Sequence, residues 1–570
     1  MLRYLFSIIT ISLIFTSCST DVEPKKNILV AKGGKKYGGE FRFMSKEKVD
    51  NLFPLYAYNL FSQRVNLHIF ETLLKVDPNT NQILPGVAES YFKSEDGKKY
   101  TFIIRKNIFF HPDACFGDKL HALDANDIKT TLEFACSGIE ILNKQSSLLQ
   151  GKIIGSTNYY NNTKTKYLNT GISGIKVINN HTIEVSLNEP YAKFELLLTH
   201  PSLSIFPIEA YSKYGNAVGN HPIGTGPFML EKMNSSGIDL IRNANYWRKD
   251  KHGNKLPFLE KVKMTYAQTK ISELHSFKNH KIDMVMEIPV EEVKDMLGSL
   301  KDAQNGKNIP HKVYGQPSYS VNYIAFSCDQ KPFDNPQVRK AINFAVNRKE
   351  IIEQALNGEG YLAENGFVPN MKGYASEWVF GVEYNPDLAR KLLSDAGYPK
   401  GKGFPKISLW LNSEKGTMKY KWCKNYVSQL KNQLNIDVEI KLCKISEREE
   451  AIADGSAICW RAGWVADYPD AEGFLSIFYS KNKFSSNNLN AFHYVNKNFD
   501  KNYNLALIEQ DSVKRMKYLT LCDQQIIDDA VVFPVYRDDF LVFLNLKVRG
   551  FTVNSMEIFD LSEVYIKKVK

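Results

Sequence analysis

The sequence predicts a mixed α/β and α+β protein of more than one domain. Three observations predict it. A chain of 570 residues is too long for one hydrophobic core, so two or three domains are expected. From Asn335 onward, helical and extended patterns alternate, as in an α/β lobe. Before that point hairpins and helices are mixed, as in an α+β unit.

The elements follow in order. Gly39–Phe43 alternates with period two and reads as a strand. Val65–Lys75 has helical spacing, with Leu67, Phe70, Leu73 and Leu74 on one face. Lys99–Arg105 reads as a strand, and Asp124 as the N-cap of a helix reaching Phe134. Gly174–Ile178 and His181–Leu187 form a hairpin around Asn179 and Asn180. Asn335 opens a helix with Pro336 at its first position. Pro386–Gly397 is a second helix, closed by Gly397. Pro405–Leu411 and Asp437–Leu442 are strands around a helix at Val427–Leu434.

The first residues carry Arg3 and then an apolar run, Tyr4–Phe15, that is short for a bilayer span. This is the pattern of a secretory signal peptide over residues 1–17. Residues 18–36 are polar and rich in Gly and Lys, and read as a flexible tether. No later segment reads as membrane-spanning. The stretch Phe15–Cys18 resembles a bacterial lipobox, which implies Cys18 as the lipidated first residue of the mature chain. Simple cleavage near Ser17 is the other reading.

Charge and cysteine content narrow the function. Lys and Arg number 73 against 62 Asp and Glu, but the basic residues are scattered. No basic stripe with interleaved aromatics is present, so nucleic acid is not an expected partner. Apart from Cys18 there are seven cysteines, an odd number, with no C-x-x-C. Cys459 reads as a core residue, and Cys115 with Cys136 is the pair considered for a disulfide. No nucleophile elbow, zinc-protease helix motif or phosphate loop occurs. The histidines are scattered. His493, beside Tyr494, is a candidate to line a site; a surface or core histidine is the alternative. No metal or cofactor is expected.

One stretch stands out. GWVADYPD, from Gly463, brings Asp467 and Asp470 out of an apolar run into an aromatic setting that includes Trp464 and Tyr468. It belongs to an ordered series of motifs. Phe70–Leu74, Leu84–Ser90, Tyr100–Arg105 and Ala125–Ile128 come first. Ile223–Phe228, containing Gly224-Thr225-Gly226, and Asn245-Tyr246-Trp247 follow. Pro332–Asn343, Ala396–Gly401, Gly463–Asp470, Phe533–Tyr536 and Val548–Phe551 complete it. The series covers nearly all of the mature chain. It resembles the family 5 solute-binding proteins of ABC transporters, the oligopeptide- and dipeptide-binding group.

That resemblance implies a two-lobed periplasmic-binding-protein clamp with an inserted α+β domain and a hinged ligand cleft. Residues 37–69, 186–304 and 526–570 would form a discontinuous first lobe. Residues 70–185 would be the insert and 305–525 the second lobe. It implies a lipid-anchored, extracytoplasmic receptor, monomeric and without enzyme activity, that hands peptides to a membrane permease. A peptide's ammonium group needs an anion when it is desolvated, and Asp467 matches the amine-anchoring position. Trp464 matches a pocket wall, and Arg461 a nearby charge that orients or partners an acid. Val465 offers backbone groups, and Tyr468 adds aromatic surface. The competing reading has Asp467 capping a turn and Trp464 in the core, with Asp470 a turn former. Where relatives often place an aromatic, Cys443–Arg448 has none. Other ligands on the same fold, namely nickel chelates, haem, sugars or opines, and an exported hydrolase are the alternative functions.

Overall fold

Strand Glu40–Ser45 buries Phe41 and Phe43 and turns the residues between them outward, the pattern of a sheet with one buried face. It belongs to a computed structural model that describes residues 30–567, apart from 50, 57–58, 118, 169, 287, 290–291, 293–294, 297–310, 359 and 485–488. The expected signal peptide and Cys18 lie outside the described residues. Glu40–Ser45 pairs in parallel with Lys261–Tyr266, and Gly237–Arg242 and Phe228–Asn234 continue the sheet antiparallel. Residues 30–36, read as the end of a flexible tether, are held against this lobe. Lys32 exchanges hydrogen bonds with the Asn254 side chain, and Lys35 Nζ lies 3.0 Å from Asp250 Oδ2.

A separate antiparallel sheet of four strands runs Ala88–Lys93, Lys99–Ile104, Thr182–Ser186, Ile175–Asn179. Helix Ala125–Ala135 packs on it. A capping box opens that helix: Asp124 accepts from Asn126 N–H and Asp127 accepts from Asp124 N–H. The described cysteines are all free thiols, so Cys115 and Cys136 are not paired. Cys136 closes the helix inside the core, whereas Cys115 sits in a loop beside Asp113. Cys459 is buried, as expected.

The helix expected over Val65–Lys75 lies earlier, at Leu60–Ile69, with Asn59 as its N-cap. Phe70 is already extended, and Leu74–Val76 pairs with Ile83–Pro85 as a strand. A tertiary contact ends the helix. Gly226 N–H donates to the Ile69 carbonyl at 2.9 Å, and a Cβ on Gly226 would stand 2.6 Å from that carbonyl oxygen. Glu71 then turns inward to accept from Thr225, Tyr246 and Trp247. Burial pushes its carboxyl up, against the hydrogen bonds that favour the charged form. Three of the motifs thus meet at one half-buried acid.

The second lobe has a six-stranded sheet in the order Tyr361–Leu362, Val532–Arg537, Ser320–Phe326, Cys459–Val465, Ile407–Leu411, Val438–Leu442. The last two strands are parallel and joined by helix Met418–Leu434, the crossover that parallel pairing requires. That helix begins well before the expected Val427, at an N-cap formed by Thr417. Val532–Arg537 was expected in the first lobe; its hydrogen bonds place it here.

Two chain segments cross between the lobes side by side. His311–Pro317 pairs with Asp539–Asn545 in a three-stranded sheet completed by Met284–Met286. Past Pro317 one segment enters Ser320–Phe326, and before Asp539 the other leaves Val532–Arg537. Ser318 N–H donates to the Asp538 carbonyl at 3.0 Å, between the two sheets. Adjacent crossings of this kind are where a hinge absorbs backbone rotation.

The loop after Cys459–Val465 is held from beneath. Asp470, expected as a turn former, does accept from Glu472 N–H at 2.9 Å. It is also buried and receives both Arg515 Nη groups, at 2.9 and 2.7 Å, a bidentate geometry. Burial opposes its ionisation, but the Arg515 guanidinium outweighs burial and holds the carboxyl below its ordinary range. Arg515→Met strands a buried carboxylate and should cost about 3–5 kcal/mol in urea unfolding. The double variant Asp470→Leu/Arg515→Met should recover most of that loss. The depressed carboxyl stabilises the fold above its unfolded pKa of about 4 and loses that contribution as pH falls through its folded value. Acid titration of stability should therefore show this loss in the parent chain and not in the double variant.

Candidate functional site

Ser320–Phe326 and Cys459–Val465 run antiparallel from Ser320↔Val465 to Phe326↔Cys459. Along its other edge, Cys459–Val465 meets Ile407–Leu411 only at Trp410↔Trp460. The strand is therefore interior to the sheet at its start and an open edge at its end. Ala466 N–H donates to the Tyr319 carbonyl at 2.9 Å, extending the same register. Bonded residues alternate in an antiparallel ladder. Trp464 and Ala462 thus direct their backbone groups to Ser320–Phe326, while Gly463 and Val465 direct theirs to the open edge. Burial follows this change: Cys459–Ala462 are buried, Gly463 is exposed, and Trp464 and Val465 are half-buried.

Asp467 lies just beyond the open edge. Its side chain is 33% exposed, enough to meet a ligand, and its Oδ2 stands 3.6 Å from His200 Nε2. That separation exceeds a hydrogen bond. No lysine or arginine pairs with Asp467 among the described residues, so both of its oxygens remain available. His200 is buried on the opposing lobe, where its Nδ1 accepts from Ser202 N–H at 3.1 Å. A neutral ring with Nδ1 as acceptor carries its proton on Nε2, the nitrogen that faces Asp467.

Asp467 is not the turn cap of the competing reading: no backbone N–H among the described residues donates to it. The turn is made by its neighbours. Tyr468 is buried, with its ring edge-on to His200, and donates to Glu472, which also accepts from Tyr503. Tyr468 therefore braces the loop from inside.

Arg461 is buried, and its Nη2 donates to Asn322 Oδ1. Asn322 Nδ2 in turn donates to Asp538 Oδ2 at 2.6 Å. The arginine thus reaches an acid through an amide, at the crossing segment. Arg448 Nη1 donates to the Arg461 carbonyl at 2.9 Å and to Asn412 Oδ1 at 2.7 Å, filling the stretch where no aromatic stands. Burial and the Arg461 charge hold the Arg448 guanidinium below the usual arginine range. Arg461 Nε and Trp464 Nε1 are buried donors with no acceptor among the described residues. Buried donors of this kind are rare in folded chains.

Five of the six expected residues, Arg461, Trp464, Val465, Asp467 and Tyr468, thus fall along one strand and its loop. His493 is not brought to them. Its Nδ1 lies 2.8 Å from Asp329 Oδ2, past the Phe326 end of Ser320–Phe326, whereas Asp467 follows the Ser320 end. Seven residues of strand separate the two ends by about 20 Å. His200, Arg448, Asn322 and Asp538 were not foreseen. They come from distant segments, and no local spacing marks them.

Comparison with known proteins follows this geometry. A sequence profile described as bacterial extracellular solute-binding proteins, family 5 Middle, matches residues 82–486. The glutathione-binding protein GsiB of Salmonella choleraesuis (strain SC-B67) is 25% identical over 508 residues, which is 88% of this chain and 90% of the relative. The ABC transporter-associated periplasmic binding protein DppA of Helicobacter pylori, solved with the peptide STSA, superimposes with a TM-score of 0.79 at 23% identity, covering 93% of this chain and 99% of that one. Haemophilus influenzae OppA, solved with RPPGFSPFR, gives a TM-score of 0.78 at 21% identity with the same coverage. These solved structures share the fold, a two-lobed clamp with an added α+β unit. The matched profile spans most of the chain, from the inserted sheet through the Asp467 loop: the chain belongs to family 5 of the bacterial extracellular solute-binding proteins.

Proposed function

We propose that this protein is the substrate-binding lipoprotein of an ABC importer, capturing peptides between its lobes and delivering them to a membrane permease. The observation that carries this reading is the open strand edge at Gly463–Val465 ending beside the Asp467 carboxylate, which pairs with no lysine or arginine among the described residues. An extended peptide adds to such an edge as an extra strand, through main-chain hydrogen bonds that are indifferent to its side chains. Asp467 receives its ammonium group, and Trp464 forms an aromatic wall. Arg461 Nε and Trp464 Nε1 supply donors for ligand oxygens. The first lobe, with His200, closes over the ligand by rotation at the paired crossings near Ser318 and Asp538. The names of the relatives fit this chemistry: glutathione and the two crystallised peptides are peptide ligands. Cys18 carries the lipid that keeps the receptor on the extracytoplasmic face of the membrane.

Native mass spectrometry of the chain, purified without refolding, should find co-purified peptides that are lost from Asp467→Ala. A single non-peptide ligand would overturn the substrate assignment while leaving the clamp. In titrations with trialanine through pentaalanine, Asp467→Ala should weaken binding by about 30-fold or more, as expected when one partner of a buried charge pair is removed. N-acetylation of the same peptides should weaken binding to the parent chain to a similar degree and have little further effect on Asp467→Ala. Equal binding of free and acetylated peptides would remove the amine-anchoring role. In a bacterial host, Cys18→Ser should move the protein from the membrane fraction to the soluble one; retention in the membrane would refute the lipid anchor.

A further inference from the structure

A histidine and two carboxylates converge on the inserted unit from separate turns of the chain. His121 precedes the helix Ala125–Ala135, Asp127 stands in that helix's first turn, and Glu209 lies in the first turn of helix Ile208–Tyr214. One ligand atom from each lies within 4.8 Å of the other two.

The three groups lack ordinary partners. Asp127 is 5% exposed, and one of its oxygens accepts from Asp124 N–H at 2.8 Å. The charged groups acting on it are both acids, Asp124 and Glu209. Glu209 Oε2 is buried with no hydrogen-bond partner. The His121 ring lies flat on Phe116, at 4.5 Å between centroids and 7° between planes. That stack fixes the ring, and neither ring nitrogen has a hydrogen bond among the described residues. Two carboxylates facing each other without a cation are costly to bury.

One imidazole nitrogen and two carboxylate oxygens form a ligand set suited to a borderline divalent ion, with water completing its shell. Ligands about 2.0–2.2 Å from such an ion stand about 3.4 Å apart in tetrahedral geometry. Side-chain rotations that move these atoms by about an ångström bring them to that spacing. The acids lie on two different helices, so an ion there would join the inserted helix Ala125–Ala135 to Ile208–Tyr214.

We propose that His121, Asp127 and Glu209 form a binding site for a divalent cation of the zinc type, separate from the residues of the peptide cleft. The ion neutralises the buried acids and fastens the inserted unit to the segment that follows His200. Its role is structural, and it requires nothing of Asp467.

The test is calorimetric titration of ZnCl2 into the full-length chain, stripped with chelator and held in detergent. One Zn2+ per chain is expected, with a dissociation constant below about 10 μM and a rise in melting temperature. His121→Ala and Glu209→Gln should each weaken binding by about 30-fold or more and abolish the thermal rise. Both variants leave the Asp127 helix cap in place, and both should bind the alanine peptides as the parent chain does. The site is therefore tested apart from the proposed function. No stoichiometric binding, or affinity unchanged in both variants, would overturn the site.

Discussion

The arrangement rests on the unequal pairing of one strand. Cys459–Val465 is hydrogen-bonded along its full length to Ser320–Phe326, but to Ile407–Leu411 at Trp460 alone. An unpaired edge inside a protein is normally covered or charged, because its free N–H and C=O groups invite another strand. Here the edge opens at Gly463, where the strand loses its side chain and gains solvent. The Asp467 carboxylate lies past the end of this edge, and Trp464 stands half-buried along it.

An exposed carboxylate is useful as an anchor only if its loop is rigid. The rigidity comes from below the loop. Asp470 and Arg515 form a buried bidentate pair, and Glu472 collects the hydroxyls of Tyr468 and Tyr503. Neighbouring residues thus differ: Tyr468 and Asp470 are buried and hold the chain, and the Asp467 side chain is partly exposed beside His200. Near the insert, Glu71 likewise holds three motif segments together. Several residues that make the sequence identifiable are therefore structural.

Movement and chemistry share one location. The crossing segments pass each other at Ser318 and Asp538, and Asp538 is also the end of the chain of contacts from Arg461 through Asn322. Buried Glu557 accepts from both Ser318 and Arg64, tying the helix Leu60–Ile69 to the same crossing. Arg461, the helix Leu60–Ile69 and the crossing are in this way joined by contiguous hydrogen bonds.

Much of the fold was legible in the sequence, because its local signals are short-range physics. Period-two alternation over Gly39–Phe43 marked the strand Glu40–Ser45, and caps at Asp124 and Asn335 and the proline Pro386 marked helix starts. The ordered motifs marked the family and the strand that carries Asp467. The local reading failed where distant segments compete for a backbone group. Helix Leu60–Ile69 stops because Gly226 takes the Ile69 carbonyl, and no periodicity within Val65–Lys75 records that. His493 looked like a cleft residue by its aromatic neighbour, but the direction of Ser320–Phe326 sets it at the wrong end. The sequence by itself determined most of the element types, the family and the strand that leads to Asp467. Only the tertiary structure decided that His200 faces this acid, that Asp470 is locked by Arg515, and that Gly463 and Val465 have an open edge. Each of these depends on contacts between residues far apart in the chain, and such pairings leave no spacing to read.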